Sequence, residues 1–385
     1  MNIFYVSNSR MPTEKAHGLQ ISKMCEAFTF LDNKITLLIP ARFNYIKSNI
    51  FDYYDINIRF KIVRLPNIDL INVIKNKFGF VFQNVSFSFS VFFYLFFYKG
   101  KITIYSRDYF TLFLLSFLDK ATLFYEVHTF PNKLNFFYKI VLKRVKFVAI
   151  TKGLRNELFN HGVADDRILI AHDGVDIDLF NNHKLDKVDL RKKLNLPKDK
   201  KIIAYVGKLT TMGKSKGVEL LLEAFVKVLN DCPQAFLLLV GINKDEVVNI
   251  KQKFDKFGVK SKFYKLILHV NYEKIIDYEK SSDVLVMSYP NTKHYQLYMS
   301  PLKMFEYMAS GVPIVSSDLE SIREVLSDDS AVLVQAENIN ALGKGIKNIL
   351  SDDNLAIKIA NKAKQDVGMY TWKIRAKKIL DFVKH

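Results

Sequence analysis

Cysteine is scarce in this chain. Its 385 residues hold only Cys25 and Cys232, far apart and outside any CxxC or CxxH spacing. That sets aside a disulfide framework and a zinc ribbon. A reducing, cytoplasmic setting is the expectation. The opening MNIFYVSNS lacks a basic region followed by an apolar run and a small-residue cleavage site, so no signal peptide is read there. Short-period repeats and low-complexity tracts are missing too. So are blocks of like charge and any module in which basic residues interleave with aromatics, so nucleic acid is not an expected partner. No His/Cys/Asp cluster has metal-ligand spacing, and no metal is expected.

One stretch lacks charge altogether. Phe78–Tyr98 (FGFVFQNVSFSFSVFFYLFFY) is about as long as a membrane span. Its Gln, Asn and three Ser, and its want of a Leu/Ile/Val run, favour a buried element of the first domain over a span. A membrane-facing aromatic surface is the intermediate reading.

The chain is long enough for two domains, and 49% hydrophobic content supplies their cores. Short apolar runs at Ile3–Ser7, Ile35–Ile39, Ile102–Tyr105, Leu123–Tyr125 and Phe147–Ile150 alternate with helical patterns. That is the signature of a parallel, doubly wound sheet. Asn181–Lys201 is polar and reads as a linker. The pattern then restarts with strands at Ile202–Val206, Phe236–Val240, Val284–Met287, Pro313–Ser316 and Ala331–Val334. The expected domains are 1–180, 181–369 and a final helix, 370–385, packing back on the first. The formal charge is +18, of which +11 lies before residue 168. A dispersed excess of this kind suits anionic lipid or a phosphate-bearing substrate.

In doubly wound sheets, ligands bind beyond the carboxyl ends of the strands. Three segments there could carry chemistry. Gly207-Lys208 and Gly213-Lys-Ser-Lys-Gly217 follow a strand and precede a helix. Glycines let backbone approach a ligand, and Lys208, Lys214 and Lys216 add charge where phosphates would sit. This is neither a Walker A loop nor GxGxxG; the alternative is a solvated, lysine-bearing turn. In Met299–Pro313, Pro301 suits a first helical turn with Ser300 as N-cap, and Gly311 suits its end. Lys303 opposes the helix dipole unless an anion binds there. Glu306 can accept hydrogen bonds from ribose hydroxyls, or be an ordinary exposed helix glutamate. In Tyr125-Glu-Val-His128, Glu126 and His128 share one face of an extended segment, where they can contact sugar hydroxyls or move a proton. A structural histidine is the alternative.

The order and spacing of these segments resemble glycosyltransferase family 4, a retaining GT-B family that includes bacterial polysaccharide and lipopolysaccharide transferases. The resemblance runs through Lys15-Ala-His-Gly-Leu-Gln20, Tyr105-Ser-Arg-Asp108, Glu126-Val-His128, Asp173-Gly-Val-Asp176, Val206-Gly-Lys208, Lys216-Gly217 and Phe305–Pro313. It implies an α/β, GT-B chain: two Rossmann-like domains facing across a cleft, the last helix crossing back to the first. It implies that Gly18 lies near donor phosphates and acceptor, and that Lys208 and Lys216 hold the donor pyrophosphate with the amides around Ser300, Pro301 and Leu302. Glu306 matches the second glutamate of the family's EX7E motif and binds ribose; His128 lies near the transferred sugar. His128, Glu306 and Lys216 are the expected catalytic set. Tyr298 replaces the first glutamate of that motif, with Tyr289, Asn291, His294 and Tyr295 as stand-ins for its sugar contacts.

The resemblance thus implies a retaining hexosyltransferase that needs no cofactor and uses a UDP-, GDP- or similar nucleoside diphosphate-sugar. The acceptor is a saccharide, lipid-linked, in bacterial surface polysaccharide synthesis. Peripheral contact with an anionic membrane at its inner face is expected. The alternatives are a catalytically weak GT-B binding protein and another GT-B enzyme such as a sugar-nucleotide epimerase.

Overall fold

The computed structural model describes residues 1–69, 77–211 and 213–384; His385, the expected end of the last helix, lies outside them. The chain divides into two compact units, residues 1–173 with 372–385, and residues 174–371.

The first unit is built on seven strands: β1 (Asn2–Val6), β2 (Lys34–Pro40), β3 (Lys61–Leu65), β4 (Ile102–Ser106), β5 (Ala121–Val127), β6 (Lys146–Ala149) and β7 (Ile168–Ile170). All pair in parallel, in the order β3-β2-β1-β4-β5-β6-β7. Helices cover both faces of such a sheet, so its strands are unbroken apolar runs. β4, ITIYS, is buried at every residue. Strand order reverses between β1 and β4, which marks the ligand-binding edge.

The second unit repeats the plan with β8 (Lys201–Val206), β11 (Ala235–Ile242), β12 (Tyr264–Leu268), β13 (Val284–Met287), β14 (Ile314–Asp318) and β15 (Val332–Gln335). Its parallel order is β12-β11-β8-β13-β14-β15, and the reversal falls between β8 and β13. A separate antiparallel hairpin, β9 (Thr210–Thr211) with β10 (Lys214–Ser215), follows β8.

Two expectations change. The segment expected to link the domains, Asn181–Lys201, belongs to the second unit and contains the helix Lys187–Lys193. Its buried Arg191 donates to the carbonyls of Ser281, Lys198 and Lys200 and pairs with Asp283 at 2.6 Å. A charged sequence is ordered here because one guanidinium satisfies several backbone acceptors at once. The uncharged Phe78–Tyr98 stretch is not a buried element. It lies in the helix Lys77–Phe96, which packs one face and exposes the other. Gln83, Phe87, Ser88, Val91 and Leu95 have no exposure, whereas Phe82, Phe93 and Phe96 are more than half exposed.

The helix Trp372–Lys384 belongs to the first unit and packs on the helix Ala16–Phe30. Its Arg375, 3% exposed, donates to Glu126 Oε2 at 3.0 Å and to the His172 carbonyl at 2.9 Å. Removing one partner of a buried ion pair leaves an uncompensated charge. Arg375→Met is therefore expected to cost the first unit about 3 kcal/mol in denaturant unfolding. Glu126 is held well below the usual carboxylate range, foremost against burial by Arg375 and Arg107. That stabilisation is present above the ordinary carboxylate pKa and is lost as pH falls through the depressed value. The deficit of the variant should therefore shrink in strong acid, measured as the difference in denaturation midpoints across pH.

Candidate functional site

In the first unit the strand-end residues converge on one carboxylate. Glu126, the penultimate residue of β5, has a side chain with no exposure. Its Oε1 receives Arg107 Nε and Nη2 at 2.9 and 2.7 Å and Gln20 Nε2 at 2.7 Å. It also meets His128 Nε2 at 2.6 Å. Oε2 receives Arg375 and the Tyr105 hydroxyl. Gln20 further donates to Asp173 at 2.9 Å. Every lone pair of Glu126 is thus engaged inside the protein, so it orients its neighbours and has none left for a sugar.

That fixes the state of His128. Burial, then Arg107, lowers its pKa, although Glu126 acts the other way. The imidazole is neutral at physiological pH. An ionised carboxylate only accepts hydrogen bonds, so Nε2 carries the proton and Nδ1 keeps a lone pair. The side chain is 30% exposed and can accept a hydrogen bond from a hydroxyl. His17, at the start of the Ala16–Phe30 helix, is lowered to about 3 by burial, Arg107 and Lys15.

Gly18 has a packing role. A Cβ there would fall 2.0 Å from the Tyr54 hydroxyl. That hydroxyl accepts from Thr13 N at 2.6 Å and donates to Thr13 O at 2.7 Å.

The second unit gathers cations at its strand reversal. β8 is followed by Gly207, whose φ of +121° only glycine adopts readily. Gly217, φ +79°, caps the helix Val218–Asp231. A Cβ on Gly217 would lie 1.6 Å from the carbonyl oxygen of Ser288, which follows β13. The Ser288 hydroxyl donates to the Gly217 carbonyl at 2.8 Å, and Tyr295 OH donates to Ser215 O at 3.2 Å. The hairpin is thereby tied down between the ends of β8 and β13.

Lys303, from the helix Leu302–Ser310, enters the same place. Its Nζ would lie 3.2 Å from a Cβ on Gly207 and sits 3.5 Å from the centre of the Tyr205 ring. The side chain is 7% exposed and its Nζ has no hydrogen-bond partner. Burial and Lys216 hold it well below the usual lysine range, against Glu306 and Glu279. Lys216 itself is lowered to about 8 by burial and by Lys208. Lys208 thus acts on Lys216, and Lys216 on Lys303, around a glycine-lined turn. Such an arrangement is costly when empty and is relieved by a polyanion.

Behind Lys303 stands a pair of buried carboxyls. Burial raises Glu306 to about 7, while a hydrogen bond from Tyr272 opposes the rise. Glu279, on the helix Tyr272–Lys280, has no exposure and no hydrogen-bond partner on either oxygen. Burial and Glu306 hold it well above the usual carboxylate range. Among the described residues no group of three or more His, Cys, Asp or Glu is placed to hold a metal ion.

Residues 186–366 match the family model described as glycosyl transferases group 1. The match covers most of the second unit. An uncharacterized glycosyltransferase of Methanocaldococcus jannaschii is 27% identical over 254 residues, covering 64% of this chain and 62% of that protein. An N-acetylgalactosamine-N,N'-diacetylbacillosaminyl-diphospho-undecaprenol 4-alpha-N-acetylgalactosaminyltransferase of Campylobacter jejuni is 25% identical, covering 56% of this chain and 53% of its own. The chain thus spans less than two thirds of the length of these curated relatives. Among solved structures, Anabaena HepE in complex with UDP and glucose superposes with a TM-score of 0.75 at 15% identity, covering 100% of this chain and 99% of its own. The fold is GT-B, as the motif resemblance implied.

In the second unit, Lys208, Lys216, Lys303 and Glu306 come together as side chains. Ser300 and Pro301 sit one step off the expected cap. The helix opens at Leu302 with Pro301 in the cap position, and Met304 N donates to Pro301 O at 3.0 Å. The first-turn amides of Leu302 and Lys303 have no intrahelical acceptor and point out of the helix start. Tyr298 is 6% exposed, against His294. Of its expected stand-ins, Tyr289 and Tyr295 are buried against each other at 5.2 Å, with Tyr295 spent on the hairpin. Asn291 accepts from Gln296 at 2.8 Å.

Four residues were not singled out from sequence: Arg107, Arg375, Glu279 and Tyr272. Arg375 was detectable as a charge in the apolar stripe of Trp372, Ala376 and Ile379. Glu279 was detectable three residues beyond Ile276.

The raised carboxyl of Glu306 gives a stability test. Neutral Glu306 suits the folded state, so its contribution is present below 4.5 and is lost as pH rises through about 7. Glu306→Gln should reduce this slope, with Glu279 left to supply the remainder, seen as a flatter melting temperature between those pH values.

Proposed function

We propose that the protein is a retaining glycosyltransferase that moves a hexose-type sugar from a nucleoside diphosphate-sugar, of UDP or GDP type, to a saccharide acceptor. The observation that carries this is Lys303: a buried amine without a partner, beside Lys208 and Lys216, at the strand reversal of the second unit. A pyrophosphate there would favour the charged form of Lys303 and accept from the Leu302 and Lys303 amides. As the bond from sugar to phosphate breaks, negative charge grows on the leaving pyrophosphate, and fixed cations stabilise that charge more than the ground state. The departing phosphate oxygen takes the acceptor hydroxyl's proton, and the new bond forms on the same face. In the first unit, neutral His128, aimed by Glu126, offers Nδ1 to a sugar hydroxyl. Glu306, at the margin of ionisation near neutral pH, receives the ribose hydroxyls.

The acceptor read here is lipid-linked, in surface polysaccharide synthesis at the cytoplasmic face of a membrane. The Campylobacter jejuni relative, whose name includes a diphospho-undecaprenol, supports that reading. So does the basic first half of the chain.

Lys216→Ala and Glu306→Ala are each expected to lower nucleoside diphosphate release, with acceptor present, by about a hundredfold or more while melting stays cooperative. Near wild-type turnover in both would refute the assignment. A protein that binds UDP or GDP yet releases no sugar with any acceptor would be a binding protein instead. Part of the pH dependence follows from Lys216: an anion binds its protonated form, so UDP affinity should weaken as pH rises through about 8. Lys216→Met should bind more weakly and lose most of that dependence, measured by calorimetry.

A further inference from the structure

The helix Lys77–Phe96 is apolar enough, over Phe78–Phe96, to pass a membrane-span test with a mean hydropathy of 1.4. It does not span. One face is locked into the first unit: Gln83 Nε2 donates to Asn8 Oδ1 at 2.7 Å, and the Ser88 and Thr111 hydroxyls bond at 2.8 Å. Phe87, Val91 and Leu95 on that face have no exposure. Crossing a bilayer would require all of this to be pulled out.

The other face carries what a soluble surface avoids. Phe82, Phe89, Phe93 and Phe96 are exposed by 54%, 44%, 56% and 52%. Their spacings of 7, 4 and 3 residues keep them within one helical stripe, about 21 Å long. Phe97, 76% exposed, continues it. The apolar surface extends over the next two helices, Tyr109–Leu115 and Phe136–Arg144, each packed on its predecessor. There Phe137 rests on Phe113 at 4.8 Å, and Phe136 and Phe117 are 69% and 54% exposed. A contiguous patch of this kind marks an interaction surface.

Charge selects the occupant. Residues 77–146 contain ten Lys and Arg against three Asp and Glu. Of the three, Asp108 caps a helix and Glu126 is buried in the carboxylate cluster, which leaves Asp119 as the one exposed acid. Lys99, Lys101, Lys139, Lys143 and Arg144 are exposed along the same helices and their ends. Phenylalanines on a face rimmed by lysines match the boundary between acyl chains and anionic headgroups.

We propose that the Phe82–Phe97 face, with the adjoining Phe117 and Phe136–Phe137, docks the first unit in plane on an anionic lipid surface, its phenylalanines inserted below the headgroups. This deepens the membrane contact of the proposed function by naming the surface that makes it. The test uses no sugar nucleotide, so it can fail while the glycosyltransferase reading stands, and the reverse.

The full chain would be sedimented with phosphatidylglycerol/phosphatidylcholine vesicles at about 0.1 M salt, where charge still acts over about 10 Å. The native protein should partition to these vesicles and far less to pure phosphatidylcholine. Phe89→Ser/Phe93→Ser/Phe97→Ser should bind at least a hundredfold more weakly, as each phenylalanine withdrawn from lipid loses roughly tenfold. All three side chains point outward, so the melting temperature should not fall. A second variant reads insertion directly. The chain has one tryptophan, Trp372, 6% exposed, so Phe93→Trp adds an exposed reporter. Its emission should shift to the blue on adding anionic vesicles. Native binding that the triple variant retains, or an unshifted Phe93→Trp emission, would overturn the proposal. So would a native dimer that the triple variant dissociates without change in vesicle binding, which would assign the face to a second copy of the chain.

Discussion

Parallel pairing governs where chemistry can stand in this protein. In each of the two large sheets every strand runs the same way, so the carboxyl ends collect along one edge. Where strand order reverses, the connections before and after the reversal leave in opposite directions and a gap opens between them. Gly207 and Ser288 directly follow the two strands that flank the gap in the second unit. Ser106 and Val6 end the corresponding strands in the first, and Arg107 follows directly. Every charged residue assigned a role lies on such a strand end or on a helix that packs beside one.

The two units handle buried charge in opposite ways. Glu126 in the first is saturated: two guanidiniums, an amide, a phenol and an imidazole spend its lone pairs. Its use is to hold His128 in one tautomer. Lys303 in the second is the reverse, a buried nitrogen with nothing to bond. A saturated ion confers rigidity, whereas an unsaturated one stores an unmet demand that a ligand of opposite charge can satisfy. The second unit is therefore built to gain more from an anion than its surface charge alone suggests.

Much of this was legible in the sequence. Strands buried on both faces are continuous apolar runs, so β1, β4, β8 and β13 could be read within a residue or two. The group 1 motif was legible through Lys303, Glu306 and Gly311, whose positions relative to a helix start and stop follow from local rules. What failed was what depends on distant partners. Arg191 turns a linker-like sequence into ordered structure partly through acceptors some ninety residues away. Glu279 meets Glu306 across two helices. The phenylalanine-rich helix misled for another reason: its exposed face has no polar stripe, so hydrophobic periodicity could not show which half faces out. Its serines and glutamine, which suggested a soluble element, lie largely on the packed side. Tyr298 was legible only as a departure; its burial shows that the position became part of the core.

Arg375 has a consequence for how the molecule comes into being. The first unit takes its seven strands from the first 173 residues, yet the second guanidinium on Glu126 arrives from residue 375, with the whole second unit synthesised in between. Until then Glu126 sits among apolar strands with half its counter-charge missing. A growing chain therefore holds an immature His128 site through nearly two hundred residues of translation. In effect the last helix is a latch on the order of assembly.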